Sequence, residues 1–108
     1  MNDMLTELRA QLPQAAFRDV TPSYLEEPRG RWQGQAMAVI APATTQEVSV
    51  VIAACARSGT PVIPFGGGTG LVGGQLSDEG GAAPVILSLE RMRALRDLDP
   101  IGGTMVVE

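Results

Sequence analysis

The residues best suited to chemistry lie in PVIPFGGGTGLVGGQ, positions 61–75. Six of the nine residues at 66–74 are glycine. Gly68, Gly70 and Gly73 satisfy the pattern G-x-G-x-x-G, directly after a short apolar run at 61–65. Glycines at this density let a backbone turn successive N–H groups inward and let an anion come close. Thr69 adds a hydroxyl, and no arginine lies in the stretch. Neutral amides of this kind suit a diphosphate held in place better than a phosphoryl group in transfer, which needs strong cations.

Three other readings of the glycines fail on the residues around them. A flexible linker mixes glycine with serine and does not sit a few residues from two apolar strands. A Rossmann fingerprint needs a helix opening at its third glycine. Here Gly73 is followed by GQLSDEGGAAP, which leaves no room for one. Glu90 then imitates the ribose-binding acid by position only, since the intervening helix is missing. The P-loop spacing is met by Gly68 and Gly73, but Gly74 and Gln75 stand where lysine and a Ser/Thr hydroxyl are required.

Elsewhere the sequence offers little reactive chemistry. The 108 residues contain no histidine, so neither a histidine-based triad nor a histidine-ligated metal can be built from them. Cys55 is the single cysteine, which excludes an internal disulfide and a cysteine zinc cluster; it reads as a core filler. Asp78 and Glu79 have no partner at metal-ligand spacing, and no metal site is expected. Trp32 reads as an anchor for the N-terminal segment, and Arg29 and Arg31 as solvated surface charges. All eight cations are arginines, they are scattered, and the net charge is −4, which argues against a nucleic-acid surface. No apolar run approaches the ~20 residues of a membrane span, so no transmembrane segment is expected. The first twelve residues lack the basic start and apolar middle of a signal peptide. The expected location is the cytoplasm, with peripheral attachment to a membrane left open.

The elements that must position the loop follow from periodicity. Met4, Leu5, Leu8 and Leu12 predict an amphipathic helix over 2–12, ended by Pro13. Residues 13–35 carry three prolines and no period, and read as irregular. A buried strand is expected at 37–41. Thr44 with Glu47 forms a capping box, and Val48, Val51, Ile52 and Cys55 give a helix one apolar face, with Gly59 as its stop. The run at 61–65 is the next strand. Strand, helix and strand make a βαβ unit with parallel strands and a right-handed crossover. A surface loop at 76–84, a strand at 84–89 and one helical turn at 90–95 follow. A hairpin then joins 95–99 to 104–108 through a Gly-Gly turn. The sequence stops at Glu108 in mid-strand, as a cut through a longer domain would.

The motifs taken in order are more specific than the glycines alone. PATTQEV, PVIPFGGGTGLVGG and VILSLERM, with YLEEPRGRWQG before them and DPIGGTMVVE after, resemble the FAD-binding domain of the vanillyl-alcohol oxidase superfamily, the PCMH type. Within it they resemble the branch that holds D-lactate dehydrogenases, the D component of glycolate oxidase and D-2-hydroxyglutarate dehydrogenases. The resemblance covers residues 17–108. It implies an α+β fold: a small parallel βαβ subdomain, then the start of a second, mainly antiparallel subdomain. Residues 1–35 would be an N-terminal helix and irregular segment, and 36–108 the incomplete FAD-binding domain. It implies that Pro64, Phe65, Gly66, Gly67, Gly68, Thr69, Gly70, Leu71, Gly73 and Gly74 wrap the FAD diphosphate. Many relatives join the flavin to a histidine near the position of Gly68; with no histidine here, FAD should be held noncovalently. The implied enzyme passes a hydride from a small D-2-hydroxy acid to the flavin and electrons onward to a separate acceptor. Its catalytic residues would lie beyond Glu108. The rival expectation is an inactive fragment or an interaction module without catalysis of its own.

Overall fold

The computed structural model describes residues 3–71, 73–77 and 81–108. Helix α1 spans Asp3–Gln11, and a single 3-10 turn at Gln14–Ala16 leads into strand β1, Phe17–Arg18. A one-turn helix α2, Pro22–Leu25, precedes β2, Ala38–Ile40. Helix α3, Thr45–Ser58, is followed by β3, Val62–Phe65, and β4, Val85–Ser88. Strands β5, Leu95–Asp99, and β6, Thr104–Val107, close the chain as an antiparallel pair. The α+β class expected from the motifs is the class found.

Helix α3 is fixed at both ends by its own sequence. The Thr44 hydroxyl accepts from the N–H of Glu47 at 3.1 Å, and the Glu47 carboxylate reaches back to the N–H of Ala43 at 2.9 Å. That reciprocal bonding satisfies donors that a helix start leaves unpaired. At the other end Gly59 takes φ +68°, and the N–H of Thr60 returns to the carbonyl of Cys55 at 2.9 Å. This is a Schellman-type stop, which favours glycine because a Cβ is strained at positive φ. The buried face is carried by Val51, Ala54 and Cys55, whereas Ile52 is 45% exposed. The apolar stripe is therefore rotated by part of a turn from the expected one; Ala54 fills the place given to Ile52.

The four-stranded sheet has the order β1-β2-β4-β3. Strands β2, β4 and β3 run parallel, in the register Ala38 to Val85 to Val62. The βαβ unit is present, but its two strands are not neighbours, because β4 enters between them. Strand β4 is buried along its whole length, as a strand covered on both faces must be. Val85 and Leu87 face one layer with Ile40, Val51, Ala54 and Cys55, onto which α1 adds Met4 and Leu8. Ile86 faces the other way, with Val39 and Phe65, beneath Tyr24 and Leu25. An ion pair between Glu7 and Arg57 joins the two helices on the first side.

Two expectations need correction, and the expected hairpin at 95–108 is present with further support in its turn. Residues 13–35 are not simply irregular. They supply β1, which pairs antiparallel with β2, and α2 over the second layer. Their prolines hide this, because two-residue and four-residue elements are too short to show a period. Residues 90–95 form no helical turn: Met92 donates to the Leu89 carbonyl at 3.0 Å, closing a single reverse turn into β5. The hairpin turn is built by more than its glycines. Asp99 accepts from the N–H groups of Ile101 and Gly102 at 3.2 and 2.9 Å, and Gly103 takes φ +70°. The inference about Asp78 and Glu79 lies outside the described residues.

Candidate functional site

The loop at 66–74 leaves the sheet at the carboxyl end of β3, the edge at which open α/β sheets bind ligands. The strand beneath it is locked to its neighbour: Leu89 donates to the Phe65 carbonyl at 3.0 Å. Beyond that point the backbone N–H groups of Gly66, Gly67, Gly68, Thr69 and Gly70 donate to no acceptor among the described residues. A Cβ placed on Gly66, Gly67 or Gly74 would meet nothing within 4 Å. Consecutive unpartnered donors on a backbone with open space beside it suit a diphosphate, whose oxygens accept many hydrogen bonds. Among the described residues, no helix stands between this loop and β4. The loop therefore offers amides without a helix terminus behind them.

The loop glycines are not equivalent. Gly68 takes φ +74°, and a Cβ there would lie 2.6 Å from Cζ of Phe65. The Phe65 ring is buried, only 7% exposed, and packs edge-on against Tyr24 with centroids 5.3 Å apart. It forms the floor on which the loop turns. Pro64 belongs to the edge strand, while Gly66, Gly67, Thr69, Gly70 and Leu71 are exposed. Gly70 has its carbonyl bound by the Gln75 side chain at 3.0 Å. Gly73, at φ +79°, lies under Trp32: a Cβ there would be 3.4 Å from the indole.

The same sheet edge carries a network that the sequence does not announce. The Tyr24 hydroxyl donates to Glu90 Oε1 at 2.6 Å, and the Ser88 hydroxyl donates to the same oxygen at 2.7 Å. Arg18 stands 3.9 Å from the other oxygen. Glu90, the false ribose acid, is thus committed to protein donors. The Tyr24 hydrogen bond, then that of Ser88, holds its carboxyl below the usual range. Burial first, and the bond to Glu90 second, push the Tyr24 phenol up to about 12. A phenol raised above its ordinary 10.0 contributes stability that is whole below pH 10 and lost as pH climbs to about 12. Tyr24 is the single tyrosine, so phenolate absorbance should report that midpoint directly. Glu90→Gln should bring it part of the way back, leaving the share due to burial. A wild-type midpoint at the ordinary value would show that the network does not form.

Cys55 is 1% exposed within the first layer, and burial pushes its thiol up, as expected of a core filler. Trp32 is 48% exposed and anchors the N-terminal segment as the sequence suggests, its indole lying against Gly73. Arg29 differs from its expected role as a solvated charge: it donates to the Leu71 carbonyl at 3.0 Å. No helix long and apolar enough to cross a membrane exists among the described residues.

Parallel strands ending in an open loop of glycine amides offer donors of the kind a nucleotide diphosphate accepts, and comparison with known proteins identifies the family. The chain belongs to the family described as FAD binding domain, whose model matches residues 36–108. It is 33% identical over 90 residues to glycolate oxidase subunit GlcD of Bacillus subtilis, covering 83% of this chain and 17% of that protein. It is 36% identical over 76 residues to D-2-hydroxyglutarate–pyruvate transhydrogenase DLD3 of Saccharomyces cerevisiae, covering 68% of this chain and 14% of the relative. Among solved structures, an alkyldihydroxyacetonephosphate synthase superposes on 93% of this chain and 21% of its own, with a TM-score of 0.77 at 19% identity. That likeness establishes the fold. The chain spans about a sixth of the length of the two curated relatives. The resemblance to PCMH-type FAD domains of the hydroxy-acid branch therefore stands, and FAD is the cofactor of the family.

Proposed function

We propose that this chain is the N-terminal FAD-binding portion of a flavin-dependent oxidoreductase that oxidises a small D-2-hydroxy acid. Residues 64–71, with Gly73 and Gly74, hold the FAD diphosphate noncovalently. The observation that carries this reading is the run of five N–H groups, Gly66 to Gly70, without acceptors among the described residues at the end of β3. The names of the curated relatives support the substrate class: glycolate oxidation in one, D-2-hydroxyglutarate in the other.

The open glycine backbone fits such a group. When bound, FAD supplies the electron-accepting chemistry. The chain supplies position. The amides of Gly66, Gly67 and Gly68 would donate to the diphosphate, and the Thr69 hydroxyl would be available for a further bond. Gly67 allows the backbone to approach closely, and Phe65 holds the loop's base against β4. The hydroxy acid and a separate electron acceptor engage parts of the enzyme outside these residues.

Purification of the protein that carries this chain tests the proposal. Flavin absorbance is expected in the native protein, and the pigment should pass wholly into solution on denaturation. D-lactate, glycolate or D-2-hydroxyglutarate should bleach it, with turnover restored by an artificial acceptor dye. Protein free of flavin would refute the cofactor assignment. Pigment that stays with the denatured chain would refute noncovalent binding, and failure of all three acids to bleach it would refute the substrate class.

A further inference from the structure

The N-terminal segment touches the glycine loop at three successive points. Residues 25–34 fold into a short hairpin: Gly34 donates to the Leu25 carbonyl at 2.7 Å and Glu27 to the Trp32 carbonyl at 3.1 Å. The turn at its tip is closed by Gly30, at φ +70°, donating to the Glu27 carbonyl at 2.9 Å. Inside the turn lies the Glu27 carboxylate, in a residue only 2% exposed. A buried charge is costly unless it is paired and hydrogen-bonded. Glu27 is both: it accepts from the Arg31 N–H at 2.7 Å and has the Arg29 guanidinium at 3.5 Å. Burial opposes ionisation of this carboxyl, but the Arg31 bond and the Arg29 charge outweigh it and hold its pKa below the ordinary value.

The hairpin thus holds Arg29 by one edge. From there the guanidinium donates across 42 positions of sequence to the Leu71 carbonyl at 3.0 Å. Beside it the Trp32 indole covers Gly73. Farther on, Gln35 and Ser77 exchange two hydrogen bonds, of 2.7 and 2.9 Å, and Gly34 presses against the Ser77 backbone. These contacts fall on Leu71 and Gly73, in the return limb of the loop, and on Ser77 just beyond it. The outgoing limb, 66–70, has its donors open. One limb is tied down while the other is left open, which is the arrangement expected of a preorganised binding loop.

We propose that residues 27–35 are a strap that keeps the cofactor loop in its binding shape, with Arg29 as its positioning residue. The proposal rests on the reading of residues 64–74 as the diphosphate loop. Arg29 acts on the Leu71 carbonyl, not on the cofactor, and fixes the loop's return path so that binding need not order it.

The test uses the protein that carries this chain, with and without flavin. Arg29→Gln should raise amide exchange at Leu76 and Gln35, whose N–H groups are bonded to the Gly73 carbonyl and the Ser77 hydroxyl, by about tenfold in the apoprotein, leaving β4 protected. It should weaken FAD binding by about tenfold, an effect of preorganisation. Arg29→Lys keeps the charge but not the fork that reaches Glu27 and the Leu71 carbonyl together, and should restore only a minor part of both. Unchanged exchange at these amides, or exchange raised equally in β4, would each overturn the strap. Faster loop exchange with unchanged FAD affinity would also overturn it as a positioning device. That outcome leaves the diphosphate reading intact, because Gly67→Val tests that reading independently.

Discussion

Gly67→Val should yield a folded protein that has lost its flavin. A Cβ at Gly67 meets no atom within 4 Å, and Gly67 is not among the glycines at positive φ. Valine there is therefore tolerated by the apoprotein, and stability should change by less than about 1 kcal/mol. On the proposed reading, the open space it fills is the space the diphosphate would need. Pushing the diphosphate off two amides removes two hydrogen bonds to a charged group, at roughly 1.5–3 kcal/mol each. The sum is a loss of affinity of about 100-fold or more. Flavin stoichiometry after purification, and FAD titration of the apoprotein, give the measurement. A Gly67→Val protein that keeps its pigment at full stoichiometry would show that the diphosphate lies elsewhere. Gly68 is the contrasting position, because its φ of +74° and the nearby Phe65 ring make any side chain there a structural fault first.

Phe65→Ala should produce the largest loss of stability of any single change near the loop. The ring is 7% exposed, packs with Val39 and Ile86, and meets Tyr24 edge-on at an interplanar angle of 63°. Truncating a buried phenylalanine costs about 3–5 kcal/mol through lost transfer energy and the cavity left behind. Domains of this size have total stabilities of roughly 5–15 kcal/mol, so urea unfolding should shift markedly. A change below about 1 kcal/mol would mean that the ring is not the floor of the loop. The companion experiment is Gly68→Ala in both backgrounds. In the wild type, alanine meets both the ring at 2.6 Å and an unfavourable φ. With Phe65 truncated, the collision disappears and only the backbone strain remains, about 1–2 kcal/mol. The two substitutions should therefore be non-additive, as contacting residues generally are.

What is legible in the sequence is local. Thr44, Glu47 and Gly59 announce α3 because capping is decided within a turn of the chain, and the structure keeps all three roles. The openness of the glycine loop is legible for the same reason: it follows from side chains that are absent. The partners of that loop are not. The position of β4 between β2 and β3 depends on pairing across distant segments, which no local period encodes. Arg29 looks like a surface charge in sequence because its acceptor, the Leu71 carbonyl, belongs to a backbone whose path the sequence does not specify. Glu27 looks equally ordinary; its burial is a property of the turn that folds around it. Phe65 reads as part of the cofactor loop, and its ring proves to be buried beneath the loop's turning point.

The sheet order also has a consequence for how the chain reaches this structure. As synthesis proceeds from the N-terminus, β2 and β3 both emerge before β4, the strand that each of them pairs with. Until residues 85–88 arrive, the parallel sheet has two outer strands and no middle. Residues 66–84, which include the cofactor loop, are the segment whose ends are brought together when β3 and β4 pair. Closing that segment is the entropic barrier to completing the sheet, and it falls when the segment is already tethered. Contacts from the previously made hairpin at 25–34 to residues 71 and 73 shorten the free chain that is left to close. The same polypeptide that shapes the loop in the finished protein is therefore available to shape it while the sheet is still incomplete.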